Sequence, residues 1–572
     1  MRDTLMCPPS FKEREMKAKS FVFRGSACLI LAMLAVPLAA QSRGLGLIRA
    51  GDMKAHLEFL AAREFEGRNT PSTALNIASR YIALAAQRAG LKPLLPDGRF
   101  FQYVPVEVTT ISPAKSRLRV LSAGGEQVLH FPEAFGASPR GISEGSAGGG
   151  LVFLGAVPSL PAADLEKALD GLGVDFRGKI AVVLTLPPPP SAKPGLGTAT
   201  VLTRFLRGRG VVGLISVLAP EREKSLAEKG LWFDVQERLR FPDVETGIPG
   251  AAQPPPQAPG AQAALPLAPF YQVDVRHDAA AAILGISRAE LNAQFAAAGK
   301  SQAFAAKEMT GRAVEIALYT ETRKTATPNV VGWVEGRDPK LKSEYVVIGS
   351  HHDHNPIREG RIFPGADDDG SGAVAMLELV EAVVAERPKR SVVFVWHTAE
   401  EKGLIGAYYF VQHSPVPVEK ISANLNLDMI SRNDPNMIYL IGSNKLSSEL
   451  DRSFHEMNAR SAKFKLDYTY ENPAHPDRFF FRSDQYPYIR YGIPGVWVFC
   501  GTTPDYHQET DTVERADFAK AEKATRMTYL VALDIGNKPA LLKLDLHPEV
   551  TTRGAHNMKV NWQRPSPPAE KR

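Results

Sequence analysis

From Pro328 onward the chain alternates short apolar runs with longer amphipathic stretches. The runs at 345–349, 392–396, 423–427 and 495–499 read as buried strands, and 372–385 and 404–412 between them read as helices. That alternation predicts an α/β fold built on a mostly parallel, helix-covered sheet. Nearer the start, Met53, Leu57, Leu60 and Ala61 recur at helical spacing, as do Ile77, Tyr81, Leu84 and Ala85. Between these two helices, Glu66-Gly67-Arg68-Asn69-Thr70-Pro71 is a turn cluster. The middle third has another texture: strand-like segments at 103–109, 117–122, 150–155, 179–186 and 211–217, and a helical stretch near 200–208. Two proline-rich pieces interrupt it, Pro187 to Pro190 and Pro254 to Pro256, the second within an Ala/Pro/Gln/Gly stretch over 250–268 that reads as a flexible excursion. Past 540 the chain turns polar and proline-rich, which predicts a fraying tail.

Composition narrows this picture. The chain has 572 residues, 44% of them hydrophobic and 23% charged, enough for several domains with large cores. A net charge of +6 without a long basic stripe argues against a nucleic-acid partner. One apolar run, Ala27 to Val36, follows Lys17, Lys19 and Arg24 and is closed by Ala39 and Ala40. It is short for a bilayer span and reads as an export signal over residues 1–40, with an uncleaved anchor as the alternative. The expected location is therefore periplasmic or secreted, with no stable membrane span after cleavage. Residues 1–40 carry six basic and three acidic residues, so their removal takes the charge from +6 to +3. Cys7 and Cys28 leave with them, and Cys500 then has no partner for an internal disulfide.

Chemistry gathers at strand ends. The strand at 345–349 runs into Ser350-His351-His352-Asp353-His354, and that at 392–396 runs into His397-Thr398-Ala399-Glu400-Glu401. The strand at 423–427 meets Asp428, and that at 495–499 leads to Asp505-Tyr506-His507. In an open parallel sheet these ends share one edge, so residues distant in sequence converge there. Asp367-Asp368-Asp369 precedes the helix that begins near Ala373. Capping and compensation of the helix dipole account for one carboxylate; three in a row ask for a cation. Two histidines and three carboxylates, without cysteine, suit zinc or a similar divalent ion and suffice for two ions sharing a bridge.

The series His351-x-Asp353, Gly-Ala-Asp-Asp368-Asp369-Gly-Ser-Gly, Glu400-Glu401-x-Gly-Leu, Leu-Asp428-Met and Tyr506-His507 resembles the di-zinc metallopeptidases that include bacterial aminopeptidases and glutamate carboxypeptidases. The resemblance implies two zinc ions bridged by Asp368, one also held by His351 and Asp428, the other by Glu401 and His507. It implies that Asp353 orients the His351 ring, that Asp369 belongs to the turn behind the bridge, and that Glu400 is the general base. Some members stabilise the oxyanion with a tyrosine just upstream of the Arg482-Ser483-Asp484-Gln485-Tyr486-Pro487 motif, a stretch occupied here by Phe479, Phe480 and Phe481. Tyr506, directly before the last histidine, becomes the candidate donor, with Arg482 second. His352, His354 and His397 read as lining the site or satisfying loops.

The likeness extends less sharply over residues 50–540. Glu66-Gly67-Arg68 and Ala89 to Pro93 look like the family's N-terminal helices, and Asp175 to Val183 with Gly210 to Ile215 looks like a protease-associated domain. It implies a mixed, mostly parallel sheet with helices on both faces, interrupted by a β-rich insertion. The division is then a signal at 1–40, a first part of the metallopeptidase domain at 43–110, an inserted protease-associated-like domain at 111–314, the catalytic domain at 315–540 and a polar tail at 541–572. The implied activity is that of an exopeptidase, an aminopeptidase acting on peptides through a metal-bridging hydroxide. A carboxypeptidase or other amide hydrolase on the same site is the first alternative, a non-catalytic receptor-like binding protein the second. Nothing in the sequence sets an oligomeric state.

Overall fold

The computed structural model describes residues 42–546 apart from 140–143, 158–161, 187–197, 232, 247–268, 299–305 and 473, together with 550–551 and 557–558. The export segment, both proline-rich pieces and most of the tail lie outside the described residues.

The elements that carry the site are α1 (Ala50–Leu60), α2 (Thr73–Arg88), β1 (Phe101–Ile111), β2 (Thr320–Val334), β3 (Tyr345–His351), α3 (Gly372–Ala385), β4 (Ser391–His397), α4 (Ile405–Gln412), β5 (Ile421–Leu427), β6 (Met437–Ile441), α5 (Gln485–Arg490), β7 (Gly495–Phe499) and α6 (Phe518–Asn537). Across the main sheet the order is Lys465–Asp467, β6, β7, β5, β3, β4, β2, β1 and Arg238–Arg240. The central strands β7, β5, β3 and β4 are mutually parallel, while β6 and β2 flank them antiparallel. The sheet is therefore mixed with a parallel centre.

The central strands are apolar without alternation because both of their faces are covered. Val346, Ile348, Val392, Phe394 and Leu425 face a core completed by α1, α2, α3 and α6. Val347, Val393, Val395 and Ile421 point the opposite way, onto α4 and α5. The one-residue offset between these two sets is the two-residue period of a strand. From β3 the chain steps to β4 on one side and later returns to β5 on the other. A crevice outside the carboxyl ends of β3 and β5 follows from that reversal.

A second sheet is made wholly from chain between β1 and β2. Its order is Gly125–His130, Arg117–Ser122, Lys307–Leu318, Gly145–Ala156, Ile180–Leu184, Gly213–Val217, Tyr271–Val275 and Phe135–Gly136. Leu118, Val182, Ile215, Val273 and Ile316 belong to its own core. Arg238–Arg240 departs from this unit and pairs with Glu107–Thr109 of β1, and the neighbouring Phe241 and Val244 pack on Ile405 of α4. Among the described residues, no helix is long and apolar enough to cross a membrane.

Candidate metal centre

β3 ends on His351, β5 stops one residue short of Asp428, and Glu400 and Glu401 follow the end of β4. The parallel register brings these termini to one edge. Asp368 reaches the same edge from the buried, kinked segment Ala366–Ser371 that leads into α3, and His507 from the turns after β7.

Two sets of donor atoms form there, each gathered within 4.8 Å: His351, Asp368 and Asp428, and His354, Asp368, Glu401 and His507. His351 Nε2 lies 3.3 Å from Asp368 Oδ1 and 3.7 Å from Asp428 Oδ1. The other Asp368 oxygen, Oδ2, lies 3.0 Å from His507 Nε2, and Glu401 Oε1 lies 3.1 Å from that same nitrogen. Asp368 thus turns one oxygen to each set. Asp368 Oδ2 is buried without a hydrogen-bond partner, as is His354 Nδ1. Buried polar atoms left unpaired in this way are costly, and a divalent cation between imidazole and carboxylate donors would satisfy them. The residues fit zinc.

The electrostatics agree. Burial disfavours a charged His351, yet the carboxylates of Glu400, Asp428 and Asp368 outweigh it and hold the ring well above its ordinary range. Burial likewise opposes charge on His507, but Asp368 and Glu401 carry it up to about 10. The site attracts positive charge on both sides of Asp368.

The three consecutive aspartates divide their work. Asp367 Oδ1 accepts from the backbone N–H and hydroxyl of Ser431, at 2.8 and 2.7 Å. Asp369 Oδ2 accepts from the Ser350 hydroxyl at 2.6 Å, and its Oδ1 from the backbone N–H groups of Gly372 and Met429 at 2.9 and 3.1 Å. Asp369 therefore ties β3, α3 and the end of β5 together, leaving Asp368 alone to face the donors. Asp511 braces the segment from behind, accepting from the backbone N–H of Asp367 and Asp368 and from the Arg432 guanidinium.

Asp353 touches His351 through its backbone carbonyl, 3.0 Å from Nδ1, which leaves Nε2 bare toward the carboxylates. Its carboxylate stands farther from that ring, at 3.8 Å, and accepts the Glu400 backbone N–H at 3.0 Å. Glu400 Oε2 lies 3.9 Å from His351 Nε2 and joins neither donor set. Burial pushes its carboxyl well above the ordinary range. Tyr506 stacks on His507, ring centroids 3.9 Å apart, and burial reinforced by the nearby carboxylates keeps its phenol protonated. Arg482 lies over the Phe479 ring on the wall of the same cleft.

His352 is satisfied within the protein by Ser79 Oγ and the His397 carbonyl, while His397 has the Tyr488 hydroxyl 3.3 Å from Nε2 and a buried Nδ1 without a hydrogen-bond partner. His354, read from the sequence as a lining or loop residue, instead stands among the donors. Arg68, noted only as part of a turn motif, is 1% exposed and donates to the carbonyls of Leu60, His352, Pro364 and Gly365. It pins the loop that carries His354 to the loop that carries Asp368. Its only signal in the sequence was a charged residue inside a glycine turn. A separate cavity of about 580 Å³ lies in the second sheet unit beside Phe176, Arg177, Phe205 and Arg209, and none of the donors lines it.

Fold and site together define an α/β chain with a buried imidazole–carboxylate cluster, a candidate metal centre, at the carboxyl edge of its parallel strands. Residues 329–532, the segment that carries every donor of the site, match the model of Peptidase family M28. A probable leucine aminopeptidase 2 of Aspergillus oryzae is 33% identical over 193 residues, 33% of this chain and 37% of the relative. An aminopeptidase of Pseudomonas aeruginosa is 40% identical over 119 residues, 20% of this chain and 21% of the relative. The match thus spans well under half the length of either curated relative. Among solved structures, the aminopeptidase from Aneurinibacillus sp. strain AM-1 superposes with a TM-score of 0.47 at 18% identity, covering 88% of this chain and 97% of that one.

Proposed function

We propose that the protein is an exported, zinc-dependent exopeptidase that removes amino-terminal residues from peptides. The observation that carries this reading is the pair of donor sets joined at Asp368, with Glu400 beside them and outside both. On this reading two zinc ions are held, one by His351, Asp368 and Asp428, the other through Asp368, Glu401 and His507. Bound zinc supplies Lewis acidity toward the scissile carbonyl and lowers the pKa of water. Glu400 takes the proton of the attacking water and delivers it to the leaving amine, its backbone anchored on Asp353. The protonated Tyr506 hydroxyl donates to the developing oxyanion. Met429, Phe479, Trp497 and Phe499 form an apolar wall suited to an apolar side chain.

The amino-terminal choice draws on the likeness to the Aspergillus oryzae and Pseudomonas aeruginosa relatives, each named as an aminopeptidase. Carboxypeptidase action is the second reading, favoured by Arg482, a guanidinium in the same cleft with its Nε unpartnered. We read the second sheet unit as the inserted protease-associated-like domain and residues 1–40 as the signal for the periplasm or exterior. A panel of peptides with free, acetylated and amidated ends tests the reading. Cleavage that requires the free amine and tolerates the amide supports it, and cleavage that requires the free carboxylate replaces it with the second.

A further inference from the structure

The resemblance accounts for five donors, but the geometry contains a sixth. His354 is fully buried, and its Nδ1 lies 2.9 Å from Glu401 Oε1 and 3.7 Å from Asp368 Oδ2. That nitrogen has no aligned hydrogen bond despite the short approach. It points into the space that Asp368, Glu401 and His507 also face. The other ring nitrogen, Nε2, has the Asn355 amide at 3.5 Å, the limit of a hydrogen bond, so little holds the proton on Nδ1.

The surrounding chain builds this position. The His354 backbone N–H donates to the Arg68 carbonyl at 3.2 Å. Gly365, at φ +58°, makes room for the ring: a Cβ there would stand 2.6 Å from its Cγ and Cδ2. Arg68 holds the Gly365 and His352 carbonyls on either side. A glycine that admits the ring and a buried guanidinium that fixes both loops serve one end, to place His354 Nδ1 beside Glu401.

Resting on the metallopeptidase reading, we propose that His354 is a further zinc ligand, so that the two halves of the centre are unequal. His354, Asp368, Glu401 and His507 supply four protein donors, the number that closes a zinc site. His351, Asp368 and Asp428 would supply three, one fewer than closes a zinc site, with Glu400 Oε2 3.9 Å from His351 Nε2. The four-donor half fills first and holds its ion. The three-donor half fills second, exchanges, and is the half from which the ion is stripped under mild chelation.

Zinc titration of the chelator-stripped full-length protein by competition with a chromophoric chelator tests this. The wild type is expected to bind two ions with distinct affinities. His354→Ala should weaken the tighter site by about 100-fold or more, a loss larger than outer-shell substitutions cause, while the weaker site moves little. His354→Gln keeps the bulk of the side chain and should weaken the same site, which guards against a variant that only misfolds; melting of the stripped proteins checks the fold. Cobalt in place of zinc adds a spectroscopic readout, since the absorption of the first equivalent should change in both variants. Wild type with two equal sites, or variants with an unchanged tighter site, would overturn the inference and leave the metallopeptidase reading standing. A wild type that binds no zinc would overturn both.

Discussion

Glu400 and Glu401 are neighbours in sequence with opposite surroundings. Burial and Asp368 push Glu401 up, but the imidazoles of His354 and His507 outweigh them and hold it down at about 2. Glu400 has no such partner set, and burial raises it. A carboxylate kept ionised and a carboxyl with high proton affinity thus stand side by side, as the proposed ligand and base require. Glu400→Gln should lower kcat by about 10²–10⁴-fold with zinc content per chain unchanged; loss of the metal along with activity would remove the residue from the base role. The imidazole of His507, held at about 10, is protonated near neutral pH before any cation binds. A cation must displace that proton, so affinity should climb with pH until about 10 and then level. Calorimetry in buffers of different ionisation enthalpy should show net proton release near pH 7.5. At this scale the strand-end motifs were legible because His351, Glu401 and Asp428 each stand within five residues of the end of an apolar run. His354 was not, because its ring is placed by Arg68 and Gly365, which no spacing beside it reveals. The hydrogen bond that orients His351 likewise comes from the Asp353 carbonyl, an atom that a side-chain motif does not specify.

The turn between α1 and α2 and the segment before α3 behave as one element, stitched by Arg68. Removing its guanidinium would strand four carbonyls in a dry interior. Arg68→Ala should therefore cost at least ~3 kcal/mol, measured by denaturant unfolding, and should loosen zinc although the residue touches no donor; an unchanged midpoint would contradict the stitching role. The alternation of apolar and amphipathic runs made β3, β4, β5 and β7 legible, since strands buried on both faces leave continuous signals. The kinked segment Ala366–Ser371 was legible only as a helix start, because its shape depends on Ser350, Ser431 and Asp511 rather than on its own neighbours. α3 carries a second titratable group outside the site. Glu378, 2% exposed, is pushed up to about 7 by burial, against the hydrogen bond it accepts from the Arg49 backbone. The folded state therefore prefers its protonated form. That contribution is full below the unfolded value near 4.5 and is lost as pH rises through about 7. Glu378→Gln, which keeps the acceptor, should melt above the wild type at about pH 8 and alongside it at about pH 4.5; a constant offset at both would show that titration is not the cause.

At the scale of the molecule, the two large sheets among the described residues share one chain, and the donors sit on the first. The second is spliced between β1 and β2 and reaches back toward the site edge. The Arg222 guanidinium lies 3.0 Å from the Glu359 carboxylate, Leu231 lies near Gly360, and Arg490 donates to the Thr246 carbonyl. The loop through Glu359 and Gly360 follows directly on His354 and Asn355. Composition indicated more than one domain, but a register that carries Arg238–Arg240 back to β1 depends on contacts across 130 residues and leaves no local trace. The proposed activity, hydrolysis of peptides from the amino end at a centre of imidazole and carboxylate donors, draws on residue, element and molecule together. The most direct measurement is hydrolysis of leucyl anilide and its N-acetyl counterpart by the chelator-stripped full chain as zinc is restored stepwise. The expected result is no cleavage when stripped, recovery on the free-amine substrate alone, and a plateau at two zinc equivalents per chain. Cleavage that survives stripping, or equal turnover of the N-acetyl substrate, would contradict it.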